Sequence, residues 1–137
     1  MPREAIYGFI RGQFNIPCNF PAGTGLIESL TDYVPGFGFV IEKVSIVVDT
    51  VGTGTSASRA FRVTKNTSDV AASVTYLLAD STPVGKSVPV TLGALADRTF
   101  DDDDTLSIEW LAAGAVAFTA GRFHVVIQYR QRAQKVV

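Results

Sequence analysis

Gly38-Phe39-Val40-Ile41-Glu42-Lys43-Val44-Ser45-Ile46-Val47-Val48-Asp49 is the stretch on which the fold assignment turns. Val40, Val44, Ile46 and Val48 form an apolar row at even positions, while Lys43, Ser45 and Asp49 share the odd positions with Ile41 and Val47. A period of two built from β-branched residues predicts a strand. Thr50-Val51-Gly52-Thr53-Gly54-Thr55-Ser56 then reads as a turn or loop from its Gly and Thr content.

The same alternation recurs outward from this segment. Phe61 and Val63 oppose Arg62 and Thr64; Val74, Tyr76 and Leu78 form a row, as do Val88, Val90 and Leu92. Leu106, Ile108 and Trp110 face away from Ser107 and Glu109, and Phe123, Val125, Ile127 and Tyr129 line the last strand. No stretch holds a helical period for long. Residues 69–80 are the ambiguous segment: Asp69 can cap a short helix through Ala71 and Ala72, whereas Val74-Thr75-Tyr76 favour strand. About six to eight short strands joined by Gly- and Pro-rich turns predict an all-β, antiparallel β-sandwich, jelly roll or barrel.

The chain has 137 residues, the size of one domain, which can bury enough surface to be stable without disulfides or metal. It is 47% hydrophobic and only 18% charged, with a mean hydropathy of +0.24. A surface this poor in charge is explained by burial against other subunits, or by a skin of Ser and Thr. A net charge of −1 gives no electrostatic basis for nucleic-acid or membrane binding. A single cysteine, Cys18, rules out an intrachain disulfide. The amino terminus lacks the apolar core of a signal peptide, so synthesis and maturation in the cytoplasm are expected.

Residues 1–22 stand apart, as an N-terminal arm or a first strand ahead of a β domain over residues 23–137. Ile6, Tyr7, Phe9, Ile10, Phe14, Ile16 and Phe20 crowd this segment, which then runs into Pro21-Ala22-Gly23-Thr24-Gly25. One reading is an ordinary strand packed on its own core. The other is an extended arm that docks on a neighbour through Ile6, Tyr7, Phe9, Ile10, Phe14 and Phe20.

The inventory for chemistry is thin. His124, the only histidine, lies opposite the Phe123/Val125/Ile127 row, and no GxSxG elbow accompanies it. One His and one Cys cannot supply the usual zinc ligand set. Cys18 has no adjacent cation to activate it and reads as a small buried hydrophobe. Asp101-Asp102-Asp103-Asp104 lacks the spacing of a calcium loop and reads as a solvated turn. With Asp97 and Arg98 this region has a local net charge of −4; Arg122, Arg130, Arg132 and Lys135 give +4 near the carboxyl end. Basic tails can bind phosphates, but four charges without interleaved aromatics are a weak signal for nucleic acid; the competing reading is contact with an acidic patch on a neighbouring subunit, with Arg130 and Arg132 as candidates. No catalytic residue, cofactor or metal is expected.

Two blocks carry a family resemblance: GFVIEKVSIVVDTVGTGTSASRAFRVTKNTSD (38–69) and DRTFDDDDTLSIEWLAAGAVAFTAGRFHVVIQYR (97–130). Together they resemble small β-rich virion proteins of tailed bacteriophages, the capsid decoration or cement proteins. The acidic turn of that group is often Gly-Asp; here it is Asp103-Asp104. The resemblance implies a jelly-roll-like domain without an active site. It implies a homotrimer on the virion's capsid surface, with the major capsid protein of the head as partner. The alternative is a receptor- or glycan-binding β module of a tail fibre or tail tip, for which Tyr33, Trp110 and Phe118 are the aromatics nearest expected loops.

Overall fold

The computed structural model describes residues 10–21, 26–54, 58–111, 118 and 120–132. They form nine strands: β1 (Arg11–Asn19), β2 (Ile27–Tyr33), β3 (Phe39–Thr53), β4 (Ser58–Lys65), β5 (Asp69–Leu77), β6 (Ser87–Leu92), β7 (Thr99–Phe100), β8 (Leu106–Leu111) and β9 (Ala120–Gln131). Two single-turn 3-10 helices, Leu78–Ser81 and Leu95–Arg98, interrupt the succession. Residues 69–77 are strand throughout, so the Asp69-capped helix does not form.

Hydrogen-bonded neighbours follow the order β1-β9-β3-β6-β5-β4-β8-β2, with β7 attached to β3. All pairings are antiparallel. The path folds into two facing sheets, β1-β9-β3-β6 and β2-β8-β4-β5. β6 closes one side by pairing β3 through Val88 and Val90, and β5 through Thr91 and Leu92. Apart from the β4–β5 hairpin, successive main strands alternate between the sheets. That is the jelly-roll arrangement, and it confirms the all-β sandwich.

The central pairing is β3 with β9, and it corrects the periodicity reading. Ile41 pairs with Tyr129 and Lys43 with Gln128, so Glu42 is an extra residue, a β-bulge. A bulge reverses the facing of everything beyond it. The core row is therefore Phe39 and Ile41 before the bulge and Val44, Ile46 and Val48 after it, whereas Val40 turns to the other face. Phe61, Val63, Leu106, Ile108, Trp110, Phe123, Val125 and Ile127 meet this row from the other strands, nearly all fully buried.

Two aromatic clusters fill the ends of the core. Phe14, Phe37, Phe39, Phe100 and Tyr129 pack at one end, with Phe39 stacked on Phe100 at 4.6 Å. Phe20, Tyr76, Trp110, Phe118 and Phe123 pack at the other, with Phe20 stacked on Phe118 at 5.1 Å. Ring pairs at such separations add to the burial of their apolar area. On the outer face of the second sheet, Ser107 and Glu109 are also buried. The Asp32 N–H donates to Ser107 Oγ, and Arg62 Nε lies 2.5 Å from Glu109 Oε2.

Candidate functional site

The polar groups singled out from the sequence are placed as structural elements. His124 sits on the outer face of the first sheet, opposite Val47, with Nδ1 2.8 Å from Asp49 Oδ1. Among the described residues, the hydrogen-bond partner of this imidazole is the Asp49 carboxylate. Among the described residues no group of three or more His, Cys, Asp or Glu is placed to hold a metal ion. Cys18 is buried where β1 faces β2; desolvation pushes its thiol up to about 11, and a hydrogen bond with Ser29 only partly opposes this. A thiol so placed is unreactive.

The aspartate run closes a turn. Asp104 accepts from the Asp101 N–H at 2.8 Å and from the Asn66 side-chain amide at 2.7 Å. Asn66 in turn accepts from the Thr105 N–H at 3.0 Å, which ties the β4–β5 turn to the start of β8. Asn66 and Thr67 both have positive φ, 52° and 64°, the backbone of a tight hairpin turn. Burial disfavours the Asp104 carboxylate, but the Asp101 N–H, the Asn66 amide and the charges of Lys65 and Arg132 outweigh it and hold its pKa below the usual carboxylate value. Asp104 is thus an acceptor for its own chain.

The charged segments meet within one chain. Arg132 pairs with Asp101, and Arg130 and Arg11 lie 3.7 Å and 3.5 Å from the same carboxylate, Glu42 at the β3 bulge. Arg132 and Asp101 thus join the basic and acidic segments of a single chain.

The amino-terminal candidates separate into three groups. Ile6, Tyr7 and Phe9 lie outside the described residues. Ile10 is 42% exposed where the chain enters β1. Phe14 and Phe20 point into the domain: Phe14 stacks on Tyr129 at 4.7 Å, and Phe20 is 4% exposed. Residues 11–19 are a strand of this chain's own sheet, so the described part of the segment is not a detached arm.

The backbone of β1 shows what the side chains do not. The Phe20 N–H donates to Gly121, and the Gln131 N–H donates to Ile10. In the regular β1–β9 register, the even residues of β1 therefore bond to β9. Arg11, Gln13, Asn15, Pro17 and Asn19 turn their backbone groups the other way, toward a sheet edge that no described strand occupies. Pro17 fits because its missing N–H belongs to that open side. The seam between β1 and the opposite edge strand, β2, is bridged by side chains, Phe14 with Tyr33 and Cys18 with Ser29. Tyr33 and Val34 remain 44% and 49% exposed at the Ile10 end of this seam. Sequence reasoning missed this feature, although exposed polar residues alternating through Pro17 were its signal.

Of the aromatics weighed as sugar platforms, Trp110 and Phe118 are fully buried and only Tyr33 reaches the surface. A hollow of about 570 Å³, open to solvent, is lined among the described residues by Gly52, Ser58, Leu77, Leu78, Ala79, Ser81 and Thr82. No described helix is long and apolar enough to cross a membrane.

No family model and no curated protein sequence matches the chain. Among solved structures, the fold is similar to a chain of the cyanophage Pam1 capsid asymmetric unit, at 16% identity and a TM-score of 0.57, covering 90% of this chain and 88% of that one. FLHE is aligned at 14% identity and a TM-score of 0.44, over 88% of this chain and 99% of that one. The family 11 carbohydrate-binding module of a Clostridium thermocellum cellulase is aligned at 16% identity and a TM-score of 0.28, over 93% and 91%. At these identities the capsid likeness establishes a shared fold, and the other two carry no argument.

Proposed function

We propose that the chain is a structural protein of a phage virion, a capsid decoration or cement protein that binds the head lattice as a homo-oligomer, a trimer, and stabilises the shell. The observation that carries this reading is the jelly-roll fold, which over 90% of the chain is similar to a component of a cyanophage capsid. It agrees with the low charge of the chain and with the use of its conspicuous polar residues as structural bonds. The reading assigns the chain no catalytic step.

The test is cryo-microscopy of intact particles, combined with protein stoichiometry by quantitative mass spectrometry. Density over the head lattice, in fixed ratio to the major capsid protein, is the expected result. Density confined to the tail, at tail-component stoichiometry, overturns it in favour of a tail module. Particles lacking the protein are expected to release their genome at a lower temperature than complete ones.

A further inference from the structure

We propose that the open edge of β1, over Arg11–Asn15, is an acceptor site for the amino-terminal segment of a second copy of this chain, which adds a strand to the first sheet. The inference rests on the self-association in the proposed function and names the surface that carries it.

Three observations converge on this edge. The outward backbone groups of Arg11, Gln13 and Asn15 have no partner among the described residues, and β1 is regular along its length. An unpaired, regular edge is a template for another strand. The opposite edge, β2, is guarded: its pairing with β8 is broken by two register shifts, and Asp32 has a φ of +49°. Finally, exposed Ile10, Tyr33 and Val34 and half-buried Phe14 lie at the Arg11 end of the same seam, an apolar strip against which inward side chains of an added strand pack. Pro17, lacking an N–H, ends the available ladder.

The segment outside the described residues that joins this end is Met1-Pro2-Arg3-Glu4-Ala5-Ile6-Tyr7-Gly8-Phe9. Paired as a strand, its sequence would place Tyr7 and Phe9 on one face, and nine extended residues span roughly 30 Å, enough to reach a neighbour. Pairing within one chain is opposed by the register. Ile10 already bonds toward β9 through its carbonyl, so a tight hairpin onto the open edge pairs Gly8 with Arg11 and puts Phe9 and Ile10 at its turn. Two-residue hairpin turns need positive φ there, which bulky and β-branched residues resist. With the tight hairpin disfavoured, the occupant proposed is the segment of another copy.

The test compares the full chain, a deletion of residues 2–9 and Asn15→Pro by light scattering after gel filtration. Circular dichroism and thermal melting of each report folding. Asn15→Pro removes only an outward N–H, at a position equivalent to that of Pro17, so the domain is expected to fold. Both variants are expected to fall to monomers, with the dissociation constant raised roughly tenfold to a hundredfold for the proline variant. Asn15→Ala, which keeps the N–H, is expected to stay oligomeric. A folded deletion variant or proline variant that keeps the full-chain mass overturns this inference while leaving self-association standing. A monomeric full chain overturns both.

Discussion

Phe20 separates an exchanged arm from a core residue, and its truncation has a calculable cost. Its ring lies 4.8 Å from Phe123, 5.1 Å from Phe118, 5.5 Å from Tyr76 and 6.4 Å from Trp110. The site resists collapse, because backbone approaches it closely: a Cβ built on Gly121, where φ is +114°, would lie 2.6 Å from Phe20 Cδ2 and 2.8 Å from Gly52 Cα. Removing a buried phenylalanine ring under such conditions costs about 3–5 kcal/mol. At roughly 2.1 cal/mol/K per residue, the 137 residues give an unfolding entropy of about 0.29 kcal/mol/K, so Phe20→Ala lowers Tm by about 10–17 °C. The measurement is thermal unfolding at two protein concentrations, in the monomeric Asn15→Pro background, so that subunit dissociation does not contribute. An unchanged Tm there, with loss of the oligomer in the otherwise native chain, would refute the assignment of Phe20 to its own core.

Other expectations follow from single contacts. Glu109→Gln leaves Arg62, half-buried and 2.5 Å from the lost charge, without its counter-ion. About 2 kcal/mol of stability is expected to go, below the full cost for a buried pair because Arg62 is partly solvated; chemical denaturation reads it. Cys18, with its thiol at about 11, is expected to react with an alkylating reagent at pH 8 roughly two orders of magnitude more slowly than an exposed cysteine; equal rates in native and unfolded protein sink that placement. Asp104 has a depressed pKa in the folded state, so it contributes stability above its unfolded value of 3.8 that is lost as pH falls through the folded one. Melting curves of Asp104→Asn are expected to show a lower Tm at neutral pH and a shallower acid dependence below about pH 4.

The strands were legible because one face of each is buried and alternation records that directly. Phe61 and Val63, or Phe123, Val125 and Ile127, needed no knowledge of their partners. The failures all depend on a partner strand. The bulge at Glu42 exists only relative to Tyr129 and Gln128 on β9, and its local trace is two polar residues in succession, Glu42-Lys43. Ser107 and Glu109 alternate with the core row, and their burial shows only once a backbone N–H of β2 and the Arg62 guanidinium are placed against them. Asp104 and Asn66, whose amide donates to it, are separated by 38 positions, so nothing local to the aspartate run shows that Asp104 is an acceptor. The amino-terminal segment was ambiguous for a different reason: a strand at a sheet edge and an arm on a neighbour call for the same apolar residues. What distinguishes them is which way the backbone of β1 points, and side-chain types encode this only through Pro17.

The inferred exchange also fixes how assembly ends. Each copy has one donor segment and one acceptor edge, different surfaces, so the contact is heterologous and continues until a ring closes. Among the described strands, the guarded β2 edge and Pro17 leave no second site for strand addition. It follows that the two loss-of-assembly variants are not equivalent. The deletion of residues 2–9 keeps the acceptor and loses the donor; Asn15→Pro keeps the donor and loses the acceptor. Mixed in equal amounts, they are expected to form a one-to-one dimer and nothing larger, because each contact uses the only functional half of either chain. Native mass spectrometry distinguishes that dimer from the two monomers. Failure to form it, with both variants folded, rejects exchange; growth beyond two chains shows a further interface.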